Sequence, residues 1–329
     1  MIEIKGQFNT AKCYTGVLEE FAAAQIKLVC DQEAFVGTKI RIMPDVHAGK
    51  GCTIGTTMTL KDKVVPGMVG VDIGCGMETI RLSERKVDFN ALDRLIRAEI
   101  PCGRDIRKEE HLLNAEINLA ELRCLKHVNV ERARKSIGTL GGGNHFIELD
   151  EDEGGCQYLV VHTGSRNMGK QTAEHHQALA QKTCTADIPD ELKYLVGDLS
   201  AEYLVDMHNC QRFSNQNRKA IVAQIVERTG IRLDGDGFTT MHNYISEGGM
   251  IRKGAISAHA GEVVLIPFNM RDGAVIARGK GNEDWNCSAP HGTGRAMSRT
   301  KAFQTLDTRS FVDEMREAGI YCPSACETT

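Results

Sequence analysis

The sequence predicts an α+β fold: one domain with mixed and antiparallel sheets, ligand-bearing side chains at strand ends, and helices packed outside. Three observations predict it. Short strand-like runs such as Gln157-Tyr158-Leu159-Val160-Val161-His162 stop at glycine-rich turns. Between them, segments such as 15–31 and 88–100 carry apolar residues at helical spacing. Side chains suited to metal or phosphate chemistry recur at the strand ends, and they come from both halves of the chain. That distribution argues for a single catalytic domain over 1–329, with a helical excursion at about 170–229, rather than two independent units.

Composition narrows the class. The chain is 41 % apolar and 26 % charged, an ordinary globular balance. A net charge of −4 means that any basic surface for nucleic acid must be local. Twelve cysteines are scattered without a CxxC pair, and the charged start Met1-Ile2-Glu3-Ile4-Lys5 is no secretory signal. A disulfide framework is therefore not expected, and a cytoplasmic location is. No apolar run approaches the roughly 18 residues of a membrane span, so no membrane partner is expected.

In chain order, 1–14 reads as a short strand and loop. Leu18, Phe21, Ala22, Ile26 and Val29 make 15–31 an amphipathic helix. Ile40-Arg41-Ile42-Met43-Pro44 is a strand entering a glycine-rich turn that carries Asp45, His47 and Lys50. That turn reads either as an Asx-type cap or as a functional loop. In Val69-Gly70-Val71-Asp72-Ile73-Gly74-Cys75-Gly76-Met77, three glycines permit tight folding, so Asp72 and Cys75 can face one space as half a metal site. The competing reading is a buried cysteine in a tight turn. Asp88 caps a helix over 88–100, with Phe89, Leu92, Leu95 and Ile96 as its stripe. The segment 104–135 reads as mostly helix and loop.

Gly141-Gly142-Gly143 precedes Asn144-His145 and a strand beginning near Phe146, and three glycines suit a close backbone approach to phosphate. His162 closes the next, central strand before Thr163-Gly164-Ser165-Arg166; it is either a ligand or a hydrogen-bonded core histidine. Residues 170–229 read as helical throughout. His175, His176 and His208 lack a ligand-spaced partner there, and Arg212, Arg218 and Lys219 read as a solvated basic face. Met241-His242-Asn243-Tyr244 is another candidate ligand loop. Residues 262–277 form a hairpin turning at Arg271-Asp272-Gly273. The stretch Asn286-Cys287-Ser288-Ala289-Pro290-His291-Gly292-Thr293-Gly294-Arg295 then puts a histidine on a glycine-rich turn before a helix-like segment. Helix starts bind phosphate, and an oriented imidazole can attack phosphorus. A last helix runs from Asp307 to Ala318, closed by Gly319.

Taken together, these motifs resemble the RtcB family of RNA-splicing ligases. The carriers are Met43-Pro44-Asp45-Val46-His47, Gly70-Val71-Asp72-Ile73-Gly74-Cys75-Gly76, Gly143-Asn144-His145-Phe146-Ile147-Glu148, His162-Thr163-Gly164-Ser165-Arg166, His242-Asn243, Arg252-Lys253-Gly254-Ala255 and His291-Gly292-Thr293-Gly294-Arg295 with Ser298-Arg299. The resemblance implies GTP-dependent joining of an RNA 3′-phosphate or 2′,3′-cyclic phosphate to a 5′-hydroxyl, in RNA repair or tRNA splicing. It implies that His291 takes GMP as a phosphoramidate. It implies two Mn²⁺ ions bridged by Cys75, with His145 and His162 completing one and Asp72 and His242 the other. The nucleotide would contact Asn144, His145, Phe146, Ile147, Glu148, His242, Asn243, Pro267, Phe268, Asn269, Met270, Ala274, His291, Gly292, Thr293 and Gly294. Arg166 and Arg295 would meet phosphate or RNA, and a small activating protein is a partner that some members require.

The donor set alone favours Zn²⁺; the resemblance favours Mn²⁺. The chain has Phe268-Asn269-Met270-Arg271 where the family usually has Gly-Ser-Met-Gly. It ends at Cys326-Glu327-Thr328-Thr329, before the family's acidic tail and guanine-contacting terminal lysine, so either the sequence is truncated or the nucleobase pocket is built differently. Two other readings use the same residues. One is a dinuclear metal phosphohydrolase trimming RNA ends without guanylated His291. The other is an inactive RNA-binding metalloprotein.

Overall fold

A computed structural model describes residues 1–83, 86–292, 294, 304–305 and 307–323. The first third runs β1 (Ile2–Lys5), β2 (Thr10–Cys13), α1 (Glu20–Cys30), β3 (Ile40–His47), β4 (Ile54–Thr59), β5 (Lys63–Val64), α2 (Pro66–Val69), β6 (Gly76–Arg81) and α3 (Phe89–Glu99). The middle carries α4 (Val130–Arg134), β7 (Phe146–Glu151), β8 (Gln157–Thr163), α5 (Arg166–Thr183), β9 (Leu195–Val196) and α6 (Gly197–Thr229). The last part adds β10 (Phe238–Met241), β11 (Tyr244–Ile245), β12 (Met250–Lys253), β13 (Ala255–Ser257), β14 (Val263–Asn269), β15 (Gly273–Arg278), β16 (Ser288–Pro290) and α7 (Thr308–Glu317).

Two sheets dominate this α+β architecture. One has the order β1-β2-β3-β4-β12-β11 and is antiparallel except where β2 meets β3. The other has the order β10-β6-β8-β7 and is antiparallel throughout. Strand alternation gives the second sheet two different faces. Ile80, Leu159, Val161, Ile147 and Leu149 point to one, where they meet Leu92 of α3 and Ile221, Val222 and Ile225 of α6. Met77, Val160 and Phe146 point to the other and pack under Leu265 and Ala274 of the β14–β15 hairpin. The larger core lies between the six-stranded sheet, α1, α5 and α6, with Ile26, Ile42, Met58, Phe35, Tyr203 and Phe213 all buried.

Several elements form for the local reasons anticipated. Asp88 accepts the Ala91 N–H at 3.0 Å at the start of α3, and Asp307 accepts from Arg309 and Ser310 at the start of α7. Gly319, at φ +71°, follows α7 in the conformation that ends helices. Others differ. α1 begins at Glu20, not near 15, because the Thr15 hydroxyl accepts the Val17 N–H and Glu19 is extended. The segment 104–135 holds 3-10 turns and only the short α4. The stretch 170–229 is not continuously helical. It breaks between Thr183 and Gly197, where Pro189 precedes a 3-10 turn and β9 pairs with β5.

The expected solvated basic face on α6 is also corrected. Buried positions occupy successive residues there, including Phe213, Ser214, Asn217, Arg218, Ala220, Ile221, Gln224 and Ile225, so the second half of α6 is enclosed around most of its circumference. Arg218 is fully buried, whereas Arg212 pairs with Glu121 at the surface. His176, which the sequence left without a partner, is buried against Asp206 at 2.8 Å. That carboxylate also accepts the N–H groups of Arg123 and Cys124, so it pins a turn 82 residues away to α6.

Candidate metal centre

The four-stranded sheet assembles the site. In an antiparallel sheet of order β10-β6-β8-β7, one edge collects the end of β10, the start of β6, the end of β8 and the start of β7. His242 follows β10, Cys75 precedes β6, His162 is the penultimate residue of β8 and His145 precedes β7. The register fixes the rows: Met77 lies opposite His162, His162 opposite Phe146, and Gly76 opposite Met241. The His242 N–H donates to the Cys75 carbonyl at 2.8 Å, and the Gly74 N–H to the Asn243 carbonyl at 3.0 Å, locking the two ligand loops together.

Their functional atoms converge. Cys75 Sγ lies 3.2 Å from His162 Nε2 and 3.6 Å from His145 Nε2. His162 Nε2 lies 3.2 Å from His242 Nε2, and His145 Nε2 lies 3.2 Å from Asp72 Oδ2. The resemblance pairs His145 with His162 on one ion and Asp72 with His242 on the other. The atoms group otherwise: Asp72, Cys75 and His145 in one set, Cys75, His162 and His242 in the second, each within 4.8 Å. Cys75 is common to both. Such closeness depends on Gly164, where a Cβ would stand 2.2 Å from Asp72 Oδ1 and 3.3 Å from Cys75 Cβ.

The surroundings orient these atoms as ligands. A backbone carbonyl can only accept, so His145 Nδ1 donates to Leu140 at 2.9 Å and His162 Nδ1 donates to Asn144 at 3.0 Å. In the neutral rings both Nε2 lone pairs then face the thiol, as outer hydrogen bonds arrange metal-bound histidines. Burial, reinforced by His242 and His145, pushes the His162 imidazole well below its ordinary value; burial and the nearby His291 bring His242 down to about 3. Burial and the Asp72 charge drive the Cys75 thiol upward. Burial opposes ionisation of Asp72 most strongly, but the hydrogen bond and charge interaction with His145, together with Cys75 and His242, jointly outweigh it and hold the carboxyl below its usual range. Inward lone pairs, a thiol and a carboxylate spaced 3.2 to 3.6 Å apart form a donor set that fits divalent metal.

His291 adjoins this cluster. It follows β16, which pairs with β13, and its ring centroid is 5.0 Å from that of His242. Its Nδ1 lies 2.8 Å from Asp45 Oδ2, and the Gly292 N–H donates to the same oxygen at 3.0 Å. A carboxylate oxygen in this role accepts, so the proton sits on Nδ1 and the Nε2 lone pair is free to react. The sequence placed Asp45 in a turn read either as an Asx-type cap or as a functional loop; it lies in β3, and its partner is 246 residues away. Thr293 and Arg295 lie outside the described residues.

The remaining candidates scatter by role. Phe146 and Glu148 face the hairpin side of the sheet, and Ala274 and Pro267 pair across that hairpin. Pro267 also abuts the histidine turn, since a Cβ on Gly292 would meet its carbonyl oxygen. Burial, then the neighbouring Asp150, raises the Glu148 carboxyl. The Ile147 side chain belongs to the apolar cluster on the opposite face, because adjacent strand residues alternate. Phe268 and Met270 are exposed at the hairpin tip. Asn269 uses its amide within that turn, accepting from Arg271 and Asp272 and donating to Asp272. Asn243, at φ +63°, accepts the Gly254 N–H and donates to the Asp72 carbonyl. Asn144 is exposed, and Gly294 approaches Asp45. Arg166 donates to Thr139 and to the Gly103 carbonyl, beside the glycine triplet.

A sequence profile described as "tRNA-splicing ligase RtcB" matches residues 25–122 and 103–329. The chain is 33 % identical to the RNA-splicing ligase RtcB of Escherichia coli K12, over 87 % of this chain and 81 % of that one. It is 26 % identical to the tRNA-splicing ligase RtcB of Nanoarchaeum equitans, over 87 % and 79 % of the two chains. It is also 26 % identical to that of Archaeoglobus fulgidus, over 97 % and 85 %.

Proposed function

This chain belongs to the RtcB family, and from that premise we propose that it is an RNA ligase joining 3′-phosphate or 2′,3′-cyclic phosphate ends to 5′-hydroxyl ends with GTP and two Mn²⁺ ions. The observation that carries the reading is the convergence of Asp72, Cys75, His145, His162 and His242 beside a His291 whose Nδ1 is held by Asp45. Those five side chains would hold the ions. Bound metal would supply positive charge where negative charge builds on the α-phosphate.

The protein's own part is orientation. Asp45 keeps the proton on Nδ1, so His291 Nε2 attacks the α-phosphorus of GTP; the N–P bond forms as the bond to pyrophosphate breaks. An RNA 3′-phosphate oxygen then takes the guanylyl group and frees His291. The 5′-hydroxyl of the second end attacks that activated phosphate, and GMP leaves with the bonding electrons. A cyclic end is first opened by water. Phe146, Glu148 and the Pro267–Met270 side of the hairpin border the space for the nucleotide, and Arg166 with Arg295 would meet RNA phosphates. An activating protein and a cytoplasmic setting complete the proposal.

Incubation with GTP labelled at the α-phosphate tests it. The unmodified chain should become labelled in an acid-labile linkage, and His291→Ala should not. Processing of RNA ends without any protein labelling would replace the ligase with a phosphohydrolase; RNA binding without turnover would leave a binding protein.

A further inference from the structure

Behind the metal centre, α6 presents Asn217 and Arg218, consecutive and both fully buried. Arg218 Nη1 donates to the carbonyl oxygens of Thr163 at 2.8 Å and Gly74 at 3.2 Å, and Nη2 donates to Asn215 Oδ1. Asn217 Nδ2 donates to the Thr139 carbonyl at 3.0 Å, and to Thr163 Oγ1 and the Gly164 carbonyl at 3.3 Å each. Its Oδ1 accepts the N–H groups of Gly138 at 2.9 Å and Thr139 at 3.1 Å.

Every segment so gripped adjoins a ligand. Gly74 precedes Cys75, and Thr163 follows His162. Thr139 precedes Leu140, whose carbonyl orients His145. Two neighbouring side chains therefore tie three loops to one rigid helix. Holding loops together needs only hydrogen bonds, and burying a guanidinium is costly unless its charge is used. Among the described residues Arg218 takes part in no ion pair; the acidic groups whose field reaches it are Cys75, Glu78 and Asp72.

We propose that Asn217 and Arg218 are positioning residues of the metal centre: together they set the separation of the Cys75, His145 and His162 loops, and Arg218 places a fixed positive charge behind the Cys75 sulfur. The proposal rests on the metal-centre reading above. Outer-shell partners of this kind change metal affinity by about 10- to 100-fold when removed.

Co²⁺ loading of the full chain gives a readout other than activity, because thiolate-to-cobalt absorption and the ligand-field bands report the coordination geometry. Arg218→Met and Asn217→Ser should weaken Co²⁺ binding about 10- to 100-fold and shift those bands. Arg218→Lys keeps the charge but loses the planar fork that reaches the two carbonyls and Asn215 together, so it should fall between. Ile225→Ala, on the same helix in the apolar core, should lower the Tm while leaving the Co²⁺ spectrum and affinity unchanged. Unaltered spectra and affinities in Arg218→Met and Asn217→Ser would overturn the proposal. If Arg218→Met does not fold, an unaltered Arg218→Lys does the same. If the unmodified chain binds Co²⁺ without thiolate absorption, or Cys75→Ser binds it equally well, the metal-centre reading itself fails and this proposal with it.

Discussion

His291 is useful as a nucleophile only with its proton on the correct nitrogen, and that is settled by one oxygen of Asp45. The same oxygen accepts the Gly292 N–H, so the carboxylate fixes both the tautomer and the turn that carries the ring. Replacing it by an amide removes the charge that holds the Nδ1 proton and favours the ring as it takes on positive character during attack. Asp45→Asn should therefore slow guanylation by about two to four orders of magnitude with the fold retained, as seen when other catalytic histidines lose their orienting carboxylate. Single-turnover labelling with GTP measures this, and a rate close to that of the unmodified chain would remove Asp45 from the mechanism. Neither partner announced the other in the sequence. An aspartate shortly before a glycine-rich stretch reads first as a turn residue, and only the folded chain closes 246 positions.

At the level of elements, α6 is the member on which distant parts hang. Asn217 and Arg218 hold the ligand loops, and a few turns earlier Asp206 holds the 123–124 turn and His176. Removing the Asp206 charge leaves buried donors unmatched, so Asp206→Asn should destabilise the fold by roughly 3 kcal/mol at neutral pH. Burial works against ionisation of this carboxyl, yet His176, Cys124 and the two backbone N–H groups prevail and lower its pKa. Its stabilising effect is thus present above the ordinary carboxylate pKa of about 3.9 and is lost as pH falls through the lower folded value. Urea melts between neutral and strongly acidic pH should show the two proteins converging at the acid end. A gap that stays constant would mean that the charge is irrelevant. The α6 periodicity could not reveal this, because a helix enclosed on most sides has no single apolar stripe and its buried polar residues look like solvated ones.

For the molecule as a whole, the ligands belong to four strands and loops between positions 72 and 242, so metal should act as a clasp on the folded state. Binding at 100 times Kd would add about 2.7 kcal/mol. Chelator-treated protein should gain Tm on addition of Mn²⁺ or Zn²⁺, and Cys75→Ser should lose most of that gain. Differential scanning calorimetry with matched ionic strength makes the comparison, and a Tm indifferent to metal would argue against the cluster as a bound-metal site.

The sequence by itself determined the features that depend on near neighbours. The Asp88 and Asp307 caps, the turn glycines and the hairpin at 262–277 follow from spacing and backbone preference. So does the alternation that puts Glu148 and Ile147 on opposite faces. The identities of the chemically capable side chains were equally open to view. Only the tertiary structure decided which of them meet: that His145 sits with Asp72, that His176 has a carboxylate, and that Arg218 is buried behind Cys75 rather than solvated. Local spacing sets a residue's direction relative to its own strand or helix. Whether that direction ends in water, a metal ligand or a carbonyl depends on a second segment brought in by sheet order and core packing, and no short window of sequence contains both.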